Sequence, residues 1–213
     1  MNDTLLEAET TDAREPGLVK GVSVGVVAQN KDPEGLGRVK IRFPWRENSD
    51  ESYWARIAVP MAGKDRGTWF LPEVGDEVLV ACDGERVEHP YVVGCLWNGQ
   101  DKPPQNNGDG KNDLRVIRSR SGHEIVFDDG VQGRIDIHLK DDKRTVRLDQ
   151  DGIEICDDSG NSIKITSTPG KIALKSNVSI SIESTTIDVK AQGSMTLQAS
   201  GTLTVKGAVV MIN

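Results

Sequence analysis

Ser162-Ile163-Lys164-Ile165, Lys171-Ile172-Ala173-Leu174 and Val178-Ser179-Ile180-Ser181-Ile182 share one pattern: an aliphatic residue, a polar or small one, another aliphatic, then a few small polar residues. Successive side chains of a strand point to opposite faces, so Ile163 and Ile165 go one way and Lys164 the other. The same unit lies upstream at Glu124–Phe127, Arg134–Leu139, Thr145–Leu148 and Gly152–Ile155. It continues downstream at Ile187–Val189, Met195–Leu197 and Leu203–Val205. From Leu114 onward the chain is therefore an internal repeat of one short strand and one turn, roughly every 7–10 residues.

Such a unit offers two or three aliphatics on one face and no second apolar face for another sheet to cover. A lone copy would expose a long strip of Ile, Val and Leu beside open strand edges. One solution is a single chain coiling around its own core, which usually takes ~20 or more residues per coil. The other is several chains wound together, each forming one wall of a prism. The one-strand unit and the absence of aromatics after Phe127 favour the second, because a narrow axis filled by three chains has no room for rings. At ~8 residues per rung and ~4.7 Å per rung, about 100 residues would make about 12 rungs and a shaft of about 55–60 Å. Its paired edges would make it stiff and slow to unfold.

The first half follows another rule. Eight of the nine aromatics lie before residue 100, from Phe43 to Trp97. Gly21–Val27 is β-branched, Asn30–Gly35 is a turn cluster, and Arg38-Val39-Lys40-Ile41-Arg42-Phe43 alternates basic with apolar. Further strands are expected at Trp54–Val59, Glu77–Cys82 and Pro90–Leu96. Five strands in ~80 residues without helical periodicity suit a small closed barrel of the OB or SH3-like kind. Residues 1–17 hold five acids against one base and read as a flexible acidic arm. Residues 100–113 are polar and rich in Gly, Pro and Asn. The expected order is thus an arm at 1–17, a barrel at 18–99, a linker at 100–113 and a β-helix at 114–213.

The 213 residues carry a net charge of -7, a poor balance for a general nucleic-acid binder, whose affinity comes from neutralising phosphates. No stretch reaches the ~20 apolar residues of a membrane-spanning helix, and Met1–Thr10 has no secretory signal pattern. The three cysteines, Cys82, Cys95 and Cys156, form no Cys-x-x-Cys pair and are expected as small buried hydrophobes. His89, His123 and His138 are too far apart in sequence for a compact metal motif.

Asn30-Lys31-Asp32-Pro33, Gly37-Arg38-Val39-Lys40, Phe43-Pro44-Trp45, Trp54-Ala55-Arg56, Pro72–Val80 and His89–Gly99 together resemble the OB domain of contractile-injection spikes. Ser119–Asp129 resembles the lead-in to their β-helix. The family comprises phage baseplate assembly protein V and the VgrG proteins of type VI secretion. The resemblance covers the chain from about position 20 to its end. It implies an all-β chain, an N-terminal OB-fold barrel followed by a triple-stranded intertwined β-helix, assembled as a homotrimer. It implies a structural, non-enzymatic central spike that punctures the target cell envelope, with no cofactor and no metal. The expected setting is a virion tail baseplate or phage-tail-like particle, assembled in the bacterial cytoplasm. Only the short arm precedes the barrel, where VgrG proteins begin with a large hub domain, so a separate hub or tail-tube protein is expected at the OB end. Neither a lysozyme-like insertion nor a trailing effector domain is expected, and the target membrane is a transient partner. The alternative reading is an OB-fold module binding nucleic acid or glycan on a β-rich oligomerisation stalk.

Several motifs invite sharper readings. Ser121, His123 and Asp128 suggest a hydrolase, but lack an oxyanion hole and an orienting acid, so a polar strand start is expected. Gly35-Leu36-Gly37-Arg38 lacks the following helix of a phosphate loop and reads as a turn. Arg38, Lys40 and Arg42 form a basic strand face, expected to pair with acids rather than nucleic acid. At the C-terminus Val209, Val210, Met211, Ile212 and Asn213 are expected to meet a PAAR-like tip protein; the alternative is an end that folds over itself.

Overall fold

The computed structural model describes residues 21–46 and 50–212. The acidic arm at 1–17 and Asn213 lie outside the described residues. The chain divides into two compact units, 1–108 and 109–213.

The first unit holds β1 (Val22–Gln29), β2 (Lys40–Arg42), β3 (Arg56–Ile57), β4 (Ala62–Gly63), β5 (Arg66–Gly67), β6 (Glu77–Cys82) and β7 (Pro90–Cys95). One sheet runs β2-β1-β6-β7-β3, with β3 parallel to β7 and the other neighbours antiparallel. Just before β2 and β3, Val39 and Ala55 exchange backbone hydrogen bonds of 3.0 and 2.7 Å, joining the two edges of the sheet. This closes an OB-type barrel and leaves neither edge open there. The strict alternation at 38–43 has its expected result: Val39, Ile41 and Phe43 are fully buried, with Val27, Ala55, Val78, Val80, Val87 and Val92. Gly25 lets β1 approach this core, because a Cβ there would collide with Ile41 Cγ2. The sequence reading missed β4 and β5, a hairpin whose strands are too short to show an alternation.

The second unit is a meander of seven five-residue strands: β8 (Leu114–Arg118), β9 (Glu124–Asp128), β10 (Arg134–His138), β11 (Thr145–Asp149), β12 (Gly152–Cys156), β13 (Ser162–Thr166) and β14 (Lys171–Lys175). Each pairs antiparallel with its sequence neighbours, in the order β14-β13-β12-β11-β10-β9-β8. Every upstream repeat unit is thus a strand. Over 114–175 successive units pair with one another within the chain. One expectation needs correcting. The units at Val178–Ile182, Ile187–Val189, Met195–Leu197 and Leu203–Val205 are not strands, since no strand occurs among the described residues after Lys175. The reason is that alternation specifies an extended, two-faced backbone, but a strand also needs a ladder partner, and among the described residues none lies beside 176–212.

Candidate functional site

The meander's register sorts its side chains into two unlike faces. On one, Ile135, Leu148, Ile153, Ile165 and Ile172 face one another across β10 to β14, continuing from Phe127 on β9. A second row runs Ile117, Ile125, Ile137, Val146, Ile155, Ile163 and Leu174 across all seven strands. Arg115 is the one break in this apolar face. The interstrand spacing and rise per residue make it roughly 30 Å by 17 Å, on the order of 500 Å². Most of its members, including Ile117, Phe127, Ile137, Ile155, Ile163 and Ile172, are exposed. A sheet face this apolar needs a second layer, and no strand of this unit supplies one among the described residues: all seven lie edge to edge in the same sheet.

The opposite face is charged and internally paired. Asp136, itself buried, accepts from Arg147 Nε at 2.7 Å and lies 3.0 Å from Arg134 Nε. The Arg147 guanidinium is held further above its ordinary range by that bond to Asp136. Arg118 meets Glu124 at 3.0 Å, and Lys164 meets Glu154 at 3.3 Å. In the turn between β12 and β13, Asp157 accepts from the backbone N–H groups of Ser159 and Asn161 and from the Asn161 amide. The Asn161 side chain is the main cause of its lowered pKa. The polar face has partners within its own sheet; the aliphatic face is mostly exposed among the described residues.

In the barrel, the turn at Asn30–Arg38 is organised by one carboxylate. Asp32 accepts from the backbone N–H groups of Glu34 (3.0 Å), Leu36 (3.1 Å) and Arg38 (3.3 Å), and from Arg38 Nε (2.8 Å) and Nη2 (2.9 Å). The Arg38 guanidinium, seconded by those N–H groups, holds the Asp32 carboxyl far below the usual carboxylate range. The Gly35–Arg38 stretch is therefore a turn whose Leu36 and Arg38 amides are already occupied by an internal anion. The basic strand meets acids too: Arg38 also reaches Glu34 at 3.1 Å and Lys40 reaches Glu51 at 3.2 Å.

The other singled-out residues do not assemble into chemistry. His123 and Asp128 lie at opposite ends of one extended segment, some 17 Å apart at ~3.4 Å per residue. His123 N–H donates to Ser119 Oγ, and Asp128 pairs with Arg134. Among the described residues no group of three His, Cys, Asp or Glu could hold a metal. Val209, Val210, Met211 and Ile212 are all exposed. The cysteine expectation fails at Cys95, which is exposed; Cys82 and Cys156 are half-buried. Cys95 is the last residue of β7, where alternation no longer implies a core position. Asp32's hold on five donors was missed: the turn composition was legible, but which donors converge on one carboxylate depends on the loop's path.

A closed OB-type barrel and a seven-stranded sheet with one exposed aliphatic face define an all-β protein of two units. Residues 23–97 match the type VI secretion system/phage-baseplate injector OB domain family. The chain is 31% identical over 131 residues to the type VI secretion system spike protein VgrG5 of Pseudomonas aeruginosa, covering 52% of this chain and 16% of that protein. It is 33% identical over 116 residues to VgrG2a of the same organism, covering 50% and 14%. To VgrG3 of Vibrio cholerae it is 28% identical over 141 residues, covering 59% and 14%. The chain thus spans under a fifth of these relatives. The resemblance to VgrG and baseplate-protein-V spikes thus has support in the family model over residues 23–97 and in these relatives. Among the described residues no helix is long and apolar enough to cross a membrane.

Proposed function

We propose that this protein is the structural central spike of a contractile tail or injection baseplate, acting as a homotrimer that punctures the target envelope. The observation that carries the reading is the bare aliphatic face of β8–β14. Three such walls, apolar faces inward, close a triangular prism and remove from water the surface one chain leaves exposed. The alternating segments at 176–212 then find ladder partners in the other two chains and extend the wall as a triple-stranded intertwined β-helix. The paired charges of the opposite face become the outer surface. Such a shaft is stiff and cross-paired, so its work is mechanical: it concentrates the thrust of sheath contraction on a small area, with no catalytic step.

The domain plan of this reading is an arm at 1–17, the barrel at 18–99, a linker at 100–113 and the shaft at 114–213. The barrel faces a hub or tail-tube protein. The exposed Val209–Ile212, with Asn213, seat a PAAR-like capping protein. The particle assembles in the bacterial cytoplasm and joins a tail baseplate. The occupied amides of the Asp32 turn, the acid-paired Arg38 and Lys40 and the net charge of -7 argue against a nucleic-acid module. Light scattering tests the assembly. The expected mass is three times the 23.2 kDa of one chain, and a mass near one copy refutes the spike. Pull-down of tail-particle proteins on the trimer tests the cap, and recovery of the hub alone refutes it.

A further inference from the structure

The barrel carries two exposed apolar surfaces that its own fold does not require. The first is a knob. Leu36 stands at the tip of the Asp32-locked turn and is 63% exposed; Trp69 and Phe70 are 70% and 65% exposed. The Trp69 ring lies against Gly37, where an added Cβ would come within 2.7 Å of Cζ3. Asn30 Nδ2 donates to Pro72 O at 3.0 Å, tying the Trp69 segment to the turn. The hydrogen bonds converging on Asp32 thus hold rigid a loop that presents large apolar groups to solvent, the preorganisation that makes a contact favourable.

The second is the outer face of β1, β6 and β7. Val24 stands opposite Leu79, and Val22 opposite Ala81, which in turn stands opposite Tyr91. These residues point away from the core-facing Val27, Val78, Val80 and Val92, leaving Val22 and Val24 exposed. Val24 and the turn after Gln29 are separated by about 20 Å of strand, so knob and face are distinct patches.

A threefold ring is heterologous: one surface of each copy meets a different surface of the next, so each copy must carry both. We propose that the barrels themselves form this ring, with the Leu36–Trp69–Phe70 knob of one copy seated on the Val22–Val24–Leu79–Ala81 face of the next. The inference rests on the trimer reading above. The occupant is a second copy because only the connection from Leu96 to Asp113 separates β7 from β8. Walls gathered in one trimer therefore keep three barrels within a linker's reach, at millimolar-scale effective concentration. At the rims, Glu34 is exposed on the knob loop, its carboxylate paired with Arg38. Arg42, opposite Val26 beside the face, has no ion pair among the described residues.

The test uses the purified full-length chain with Trp69 replaced by the photo-crosslinker benzoylphenylalanine, alone and together with Val24→Arg. The proposal expects a crosslink between chains that maps to the peptide around Val22–Val24 or Leu79–Ala81. Val24→Arg should lower its yield about tenfold while the mass stays trimeric, as loss of a buried interface anchor would. A trimer whose crosslinks stay within one chain, fall elsewhere or are absent overturns the ring and leaves the spike standing. A monomer overturns both.

Discussion

At the scale of single residues, the turn at 30–38 depends on the charge of Asp32. Its carboxyl is depressed chiefly by Arg38. A depressed folded-state value means that the stabilisation is complete above the ordinary aspartate pKa of about 3.9. It shrinks as the pH falls below that and is gone once the pH passes the folded-state value. Asp32→Asn removes this dependence and frees the loop; the check is hydrogen exchange at the amides of Leu36 and Arg38, expected to speed up in the variant at neutral pH. Inside the barrel, Ile41→Ala should cost about 2–5 kcal/mol in denaturant titration, because Ile41 is fully buried. Gly152 is the corresponding sensitive point of the meander. Its φ is +148, and a Cβ there would collide with the Ile165 carbonyl oxygen across the β12–β13 pair. Gly152→Val should disrupt the wall where most surface valines would be neutral, visible as lost β signal in far-UV circular dichroism.

At the scale of elements, the two faces of the meander predict opposite tolerances. Ile155→Lys puts a charge in the middle of the aliphatic face, where the walls would meet in the proposed trimer. The expected outcome is loss of the trimer, read as a threefold fall in light-scattering mass toward the 23.2 kDa of a single chain. Lys164→Ala, on the other face, removes only a salt bridge to Glu154 between partly exposed side chains. Such pairs are typically worth ~0–1 kcal/mol, so the mass should stay unchanged. Equal sensitivity of both faces would contradict the inward orientation of the aliphatic rows.

For the whole molecule, the proposed pairing of the shaft between chains predicts kinetic as well as equilibrium stability. The full-length chain should run as a trimer in SDS without boiling and as a monomer after boiling, because strands shared between chains cannot separate one at a time. Ending the chain after Lys175 keeps the seven-stranded wall but removes the segment that has no ladder partner of its own. That truncation should lose SDS resistance before it loses β content. A truncated chain that resists SDS as well as the full one would mean that 176–212 is not braided.

Alternation alone was enough to place Val39, Ile41 and Phe43 in a core, to delimit Glu77–Cys82, and to make strands of every repeat unit from Glu124 to Leu174. It also determined that one side of those strands is aliphatic, since side-chain direction in a strand depends only on residue parity. What only the tertiary structure decided was who pairs with whom. The edge closure through Val39 and Ala55, the antiparallel meander over 114–175 and the lack of strands beyond it all depend on backbone hydrogen bonds. Those bonds form between residues whose nearness a local pattern cannot encode. The convergence of donors on Asp32 and the exposure of Cys95 belong with them, because both follow from the path of the chain rather than from the residues beside them.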